Sequence, residues 1–198
     1  MRVPGLPRLT WLPGPGEGRA TADGAALTMI APAGSDWFND PAGPTRTASA
    51  PVLTLPADDD LQLATRVTVD FASAYDAGVL FVHQGPDDHA KLCFERSPDG
   101  EAMVVTVVTR EVSDDSNEPV IAGRSVHLRV SRMGDVFAFH FSTDGERWRM
   151  SRLFRLREPS APTTLGFLAQ SPTGEGCTVV FDRISLTSAT LADPRDGS

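Results

Sequence analysis

Short apolar runs with a period of two, broken by Gly, Pro, Asp and Ser, recur along the whole chain. The clearest is Leu61–Phe71, where Leu61, Leu63, Val67, Val69 and Phe71 fall on one face and Gln62, Arg66, Thr68 and Asp70 on the other. Alternation over that length predicts a half-buried strand, because successive side chains point to opposite faces of a sheet. Further strands are predicted at Ala25–Ala31, Pro51–Leu55, Met103–Glu111, Arg147–Met150, Thr164–Ala169 and Thr178–Leu186. Two hairpins are predicted as well. Ala77–His83 returns as Ala90–Arg96 across a polar loop, and Val126–Arg132 returns as Val136–Ser142 across Met133–Gly134–Asp135. About ten short strands without a long amphipathic helix predict an all-β, two-sheet antiparallel jelly-roll sandwich. One domain over 1–190 is expected, with a loosely held tail at 191–198.

The 198 residues carry 40% hydrophobic and 22% charged positions, enough to build a core. The net charge of −8 argues against nucleic acid as a partner, since an acidic surface repels phosphate backbones. No apolar run reaches the ~20 residues that a membrane span needs, so no membrane partner is expected and the cytoplasm is the expected location. Cys93 and Cys177 lie in no metal-ligand spacing and are expected as buried free thiols. No metal or cofactor is expected; no phosphate-cradling glycine loop is present, and the lack of a GxSxG turn weakens a serine-nucleophile scheme. The acidic turns at Asp58–Asp60 and Asp87–Asp88 read as solvated loops rather than calcium sites.

Candidate chemistry begins with Lys91, the only lysine of the chain. Lys91, Cys93 and Glu95 share one face of a strand while Leu92 and Phe94 point inward. A lysine and a carboxylate on one outward face can donate to and accept from hydroxyl groups; they can equally be a solvated ion pair. His140 points away from the Phe137, Phe139 and Phe141 stripe, and His83 shares a face with Val79 and Phe81. Each is a proton carrier, a ligand contact or a satisfied structural histidine. His89 and His127 read as surface residues. Trp37, in the aromatic-acidic loop Asp36–Asp40, is open to two roles: a platform for a sugar ring or a plug against the sandwich. Phe38 reads as the plug, and Trp148 as core packing.

Several phrases taken together resemble a known family: DWFNDPAG (36–43), SAYDAGVLF (73–81), KLCFE (91–95), VTVVTREVSDDS (105–116), LRVSR (128–132), FHFSTDGERW (139–148), LGFLAQSPTGEG (165–176) and VVFDRISL (179–186). Their order is similar to a family of bacterial and fungal proteins of unknown function that includes the yeast regulation-of-enolase protein, within the concanavalin A-like lectin/glucanase superfamily. The resemblance implies a curved jelly roll whose concave sheet binds or cleaves glycans. It carries over Asp36, Trp37, Asp40, Asp76, Lys91, Glu95, Ser113, Asp114 and Trp148 as recurring positions. This chain has Asp115 where relatives carry an aromatic, which weakens a stacking role for that loop.

The expected function is a non-catalytic binding module for a carbohydrate or small polyol. Lys91, Glu95, His140 and Asp76 are expected on the concave sheet, with Trp37 at the rim, and His83 and Asp114 as further ligand-binding candidates. One alternative is a glycoside hydrolase or lyase using Glu95 and a loop aspartate, which requires two carboxyls ~5–5.5 Å or ~6.5–9.5 Å apart. Another is an interaction partner of an enzyme of central carbon metabolism. A homodimer through sheet edges or faces is compatible with a sandwich.

Overall fold

A computed structural model describes residues 1–158 and 161–198. In chain order the strands are β1 (Thr10–Trp11), β2 (Arg19–Asp23), β3 (Ala26–Ile30), β4 (Trp37–Asn39), β5 (Arg46–Ala48), β6 (Val52–Pro56), β7 (Leu61–Asp70) and β8 (Ala77–Gly85). They continue with β9 (Asp88–Arg96), β10 (Ala102–Arg110), β11 (Val112–Val120), β12 (Ser125–Met133), β13 (Val136–Ser142), β14 (Arg149–Phe154), β15 (Thr164–Gln170) and β16 (Thr178–Thr187). No helix occurs among the described residues.

Two seven-stranded antiparallel sheets form the sandwich. The first runs β1-β6-β15-β8-β9-β10-β11 and the second β14-β13-β12-β7-β16-β3-β2. Period-two patterning decides which side chains meet between them. On β7 the buried residues Leu61, Leu63, Thr65, Val67 and Val69 alternate with half-buried ones. They share the core with Leu92 and Phe94 of β9, Leu128 and Val130 of β12, and Phe137, Phe139 and Phe141 of β13. Gly78 lets β8 approach the opposite sheet: a Cβ there would lie 2.5 Å from side-chain atoms of both Val67 and Val179.

The small hairpin β4–β5 is a third layer. It closes part of the outer face of the first sheet, where Trp37 packs on Val79, Phe81 and Cys93 in a second apolar cluster. Both cysteines are free and buried. Strand β11 was not predicted, because VSDDSNEPV has almost no apolar alternation and contains Pro119. It pairs only with β10, at the sheet edge, where charged residues and proline are tolerated.

The segment 191–198, expected to be loosely held, packs on the outer face of the second sheet. Leu191 is buried, Arg129 Nη2 donates to the Gly197 carbonyl at 2.8 Å, and His140 Nε2 donates to the Pro194 carbonyl at 2.7 Å. Burial of Leu191 and the hydrogen bonds from Arg129 and His140 hold this polar segment on the sheet, a relation no local pattern encodes.

Candidate functional site

The register of β15, β8, β9, β10 and β11 lays out a grid on the outer face of the first sheet. One row runs Gln170–Ala77–Glu95–Met103, the next runs Leu168–Val79–Cys93–Val105–Asn117, and the third Gly166–Phe81–Lys91–Val107–Asp115. Trp37 and the β4–β5 hairpin cover the β8 side. The uncovered part is a cleft of about 520 Å³. Met103, Val105 and Val107 form its apolar floor; Lys91, Glu95, Gln170, Asp115 and Asn117 supply polar groups; Phe38 and Tyr75 stand at its edge.

Lys91 is only 2% exposed, yet its ammonium reaches the cleft. Nζ donates to Asp36 Oδ1 at 2.9 Å and to Gln170 Oε1 at 3.1 Å, and lies 5.9 Å from the Phe38 ring centroid. Burial works against the charged amine, but the attraction of Asp36 leads the contributions that outweigh it, and its pKa is raised. An ammonium has three donors, so one is left without a partner among the described residues.

Glu95 accepts no hydrogen bond among the described residues. Burial pushes its pKa up to about 7; Lys91 opposes the shift, while Asp36 and Asp115 add to it. Tyr75, 40% exposed, is held at φ +67°. That left-handed backbone is uncommon for a bulky residue. It is fixed by Tyr75 N–H donating to the Arg96 carbonyl at 2.7 Å.

A family model described as "Protein of unknown function (DUF1349)" matches residues 11–189. The chain belongs to this family. A search of curated proteins found no match. Among solved structures, a functionally unknown protein from Saccharomyces cerevisiae superposes with a TM-score of 0.81 at 26% identity, over 92% of this chain and 97% of that one. A xylan β-1,4-xylosidase from Bacillus halodurans matches at TM-score 0.65 and 14% identity, over 83% of this chain but 33% of the enzyme. An alginate lyase from Klebsiella pneumoniae matches at 0.56 and 13%, over 83% and 81%. At such identities the two enzymes show the jelly-roll fold alone.

Within this DUF1349 sandwich the candidates predicted from sequence separate. Lys91 and Glu95 sit together in the cleft. His140 does not: it is fully buried on the outer face of the other sheet, beneath residues 191–198. Inward-outward alternation tells which face of a strand a residue uses, but not which sheet that strand joins. Asp76 is also displaced from the expected role. It is fully buried, with Oδ2 accepting from the Ala72 and Ser73 amides and Oδ1 from Ser171 Oγ, so its acceptor capacity is spent on holding two loops.

Trp37 is the plug and not the rim. It is 2% exposed and its Nε1–H donates to the Ala50 carbonyl at 2.8 Å. Phe38, one position on, turns to the cleft instead. His83 is half-buried edge-on to Trp37, and burial lowers its pKa to about 4. His89, read from sequence as a surface residue, is fully buried beside Trp37 and Phe81. The backbone of Gly85 and Pro86 lies close by, but neither ring nitrogen closes a hydrogen bond, and burial lowers the pKa to about 3.

Asp114 faces away from the cleft and pairs with Arg152 at 2.9 Å. Its neighbour Asp115 lines the cleft. The sequence signal for Asp115 and Asn117 was parity along β11, readable only once that strand is recognised. Trp148, expected in the core, lies half-buried on the outer face of the second sheet with the Arg129 guanidinium 4.5 Å above its ring. Among the described residues no group of three or more His, Cys, Asp or Glu side chains is arranged to hold a metal ion.

Proposed function

We propose that the chain is a binding module holding a carbohydrate or small polyol in the cleft beside Lys91, without acting on it. The observation that carries this reading is the Lys91 ammonium. It is buried at the cleft wall, aimed by Asp36 and Gln170, and left with one donor for a ligand. A pre-aimed donor loses little freedom on binding. The volume falls within the usual ~300–1,000 Å³ of small-molecule sites. Phe38 and Tyr75 offer aromatic faces for the apolar side of a sugar ring, and Asn117, Glu95 and Asp115 offer partners for its hydroxyls.

Glu95 favours a second reading, a glycosidase or lyase, since a carboxyl with a pKa near 7 suits a general acid. A partner carboxyl is harder to find. Asp36 is engaged by Lys91. Asp115 lies two strands across and four residues along from Glu95; its charge reaches Glu95 and adds to the rise of its pKa, but no hydrogen bond or ion pair among the described residues aims either carboxyl at a shared scissile bond. Binding without turnover is therefore the reading preferred.

Calorimetry with a panel of mono- and oligosaccharides and polyols tests it. Saturable heat at millimolar concentration, weakened about tenfold by Phe38→Ala or Gln170→Ala, is expected. No heat from any of them at that concentration would sink the reading. Release of reducing ends from oligosaccharides, lost in Glu95→Gln, would move it to the enzymatic alternative.

A further inference from the structure

The charges around the cleft do not balance. Lys91 and Asp36 cancel each other. Glu95 and Asp115 remain, and neither forms an ion pair among the described residues. Among the described residues no arginine lines the cleft. The nearby Arg152 is committed to Asp114, on the opposite face of β11. An anionic ligand would meet two carboxyls with no free cation to offset them. A neutral ligand would gain no charge pairing from Glu95, which burial already biases toward its protonated form. A cationic ligand supplies the missing partner, and the Phe38 and Tyr75 rings add faces that attract cations.

We propose that the cleft takes a hydroxylated ligand carrying one protonated amine, an amino sugar or an amino polyol, with its amine against Glu95 and its hydroxyls toward Asp115 and Asn117. The proposal rests on the binding-module reading and specifies the ligand's charge. The offset of Glu95 and Asp115 across two strands and four positions suits them to different groups of one small ligand. The apolar floor of Met103, Val105 and Val107 lies between the two carboxyls.

Three six-carbon probes that differ in one terminal group isolate the charge: glucamine (1-amino-1-deoxysorbitol), sorbitol and gluconate, cationic, neutral and anionic at pH 7. Calorimetry on the intact chain at low salt is expected to rank glucamine about tenfold tighter than sorbitol, a difference of about 1.4 kcal/mol, with gluconate weakest. The glucamine preference should shrink as salt is raised, because screening weakens exposed charge pairs. In Glu95→Gln the glucamine-to-sorbitol ratio should fall toward one, and in Asp114→Asn, on the opposite face, it should not change. Equal binding of glucamine and sorbitol, or gluconate binding tightest, overturns the amine assignment while the binding module stands. Failure of all three probes together with the wider saccharide panel overturns both.

Discussion

Lys91 and Asp36, 55 positions apart in the chain, meet at 2.9 Å with the lysine side chain 3% and the aspartate side chain 20% exposed. The asymmetry sets an order. Removing the lysine leaves a carboxylate that still reaches water; removing the aspartate leaves an ammonium that does not. Breaking a buried pair costs ~3–5 kcal/mol when the remaining charge is stranded. Asp36→Ala is therefore expected to lose on the order of 3 kcal/mol in urea unfolding and Lys91→Met clearly less. Equal losses would mean that Lys91 finds other solvation once Asp36 is gone.

Adjacent aromatics on β4 divide structure from function. Trp37→Ala removes a fully packed ring and its hydrogen bond to Ala50, and ~3–5 kcal/mol is the usual cost. Phe38→Ala removes a half-buried ring over the cleft and should cost under about 1 kcal/mol while weakening ligand binding about tenfold. Denaturation midpoints and binding heats on the same two variants test the division. Large stability losses for both would mean that Phe38 is a plug as well.

How much of this was legible in the sequence follows from the range of each signal. Strands β7, β9 and β13 announce themselves by parity, and with them the outward pairing of Lys91 and Glu95. Strand β11 does not, since its apolar positions are few and its hydrogen bonds come from a single neighbour. Missing it misassigned Asp114 and left Asp115 and Asn117 out of the candidate site. His140 and Asp76 failed for another reason: whether an outward or polar residue faces a cleft, a strap or a loop is decided by contacts across 54 and 95 positions, respectively. Gln170 lies at the end of β15, and nothing local marks it as the second acceptor for Lys91.

Stability against pH should be shaped by groups of opposite sign, the buried His89 and His83 on one side and Glu95 on the other. His89 has a pKa of about 3 in the folded chain against an ordinary 6.5. The unfolded chain therefore binds that proton first, and stability falls as pH drops from about 6.5 toward 3. Glu95, raised to about 7 from an ordinary 4.5, works the other way: its contribution is present in full below about 4.5 and is lost as pH rises through 7. His89→Phe keeps the aromatic packing and removes two unpaired nitrogens. It should be neutral or stabilising at pH 7 and flatten the acid limb. Glu95→Gln should flatten the neutral limb. Thermal unfolding from pH 4 to 8 checks both, and an unchanged acid limb in His89→Phe would assign acid sensitivity elsewhere.

The strap formed by residues 191–198 should be an integral part of the fold. Gly197 sits at φ +79°, and a Cβ there would lie 2.8 Å from Arg129 Nη2 and 2.9 Å from Trp148 Cβ. Gly34 has a similar φ of +65° with nothing within 4 Å. Both positions carry the left-handed backbone cost for an L residue, about 1 kcal/mol, and only Gly197 adds crowding. Gly197→Ala is thus expected to destabilise more than Gly34→Ala by on the order of 1 kcal/mol, chiefly by lifting the strap from Arg129 and His140. Hydrogen exchange should then accelerate at the Gly197 amide, which donates to the Asp193 carbonyl at 3.0 Å, and not at the β9 amides across the sandwich. Equal effects of the two substitutions, with exchange at Gly197 already fast in the parent chain, would show that the strap is dispensable to the sheet beneath it.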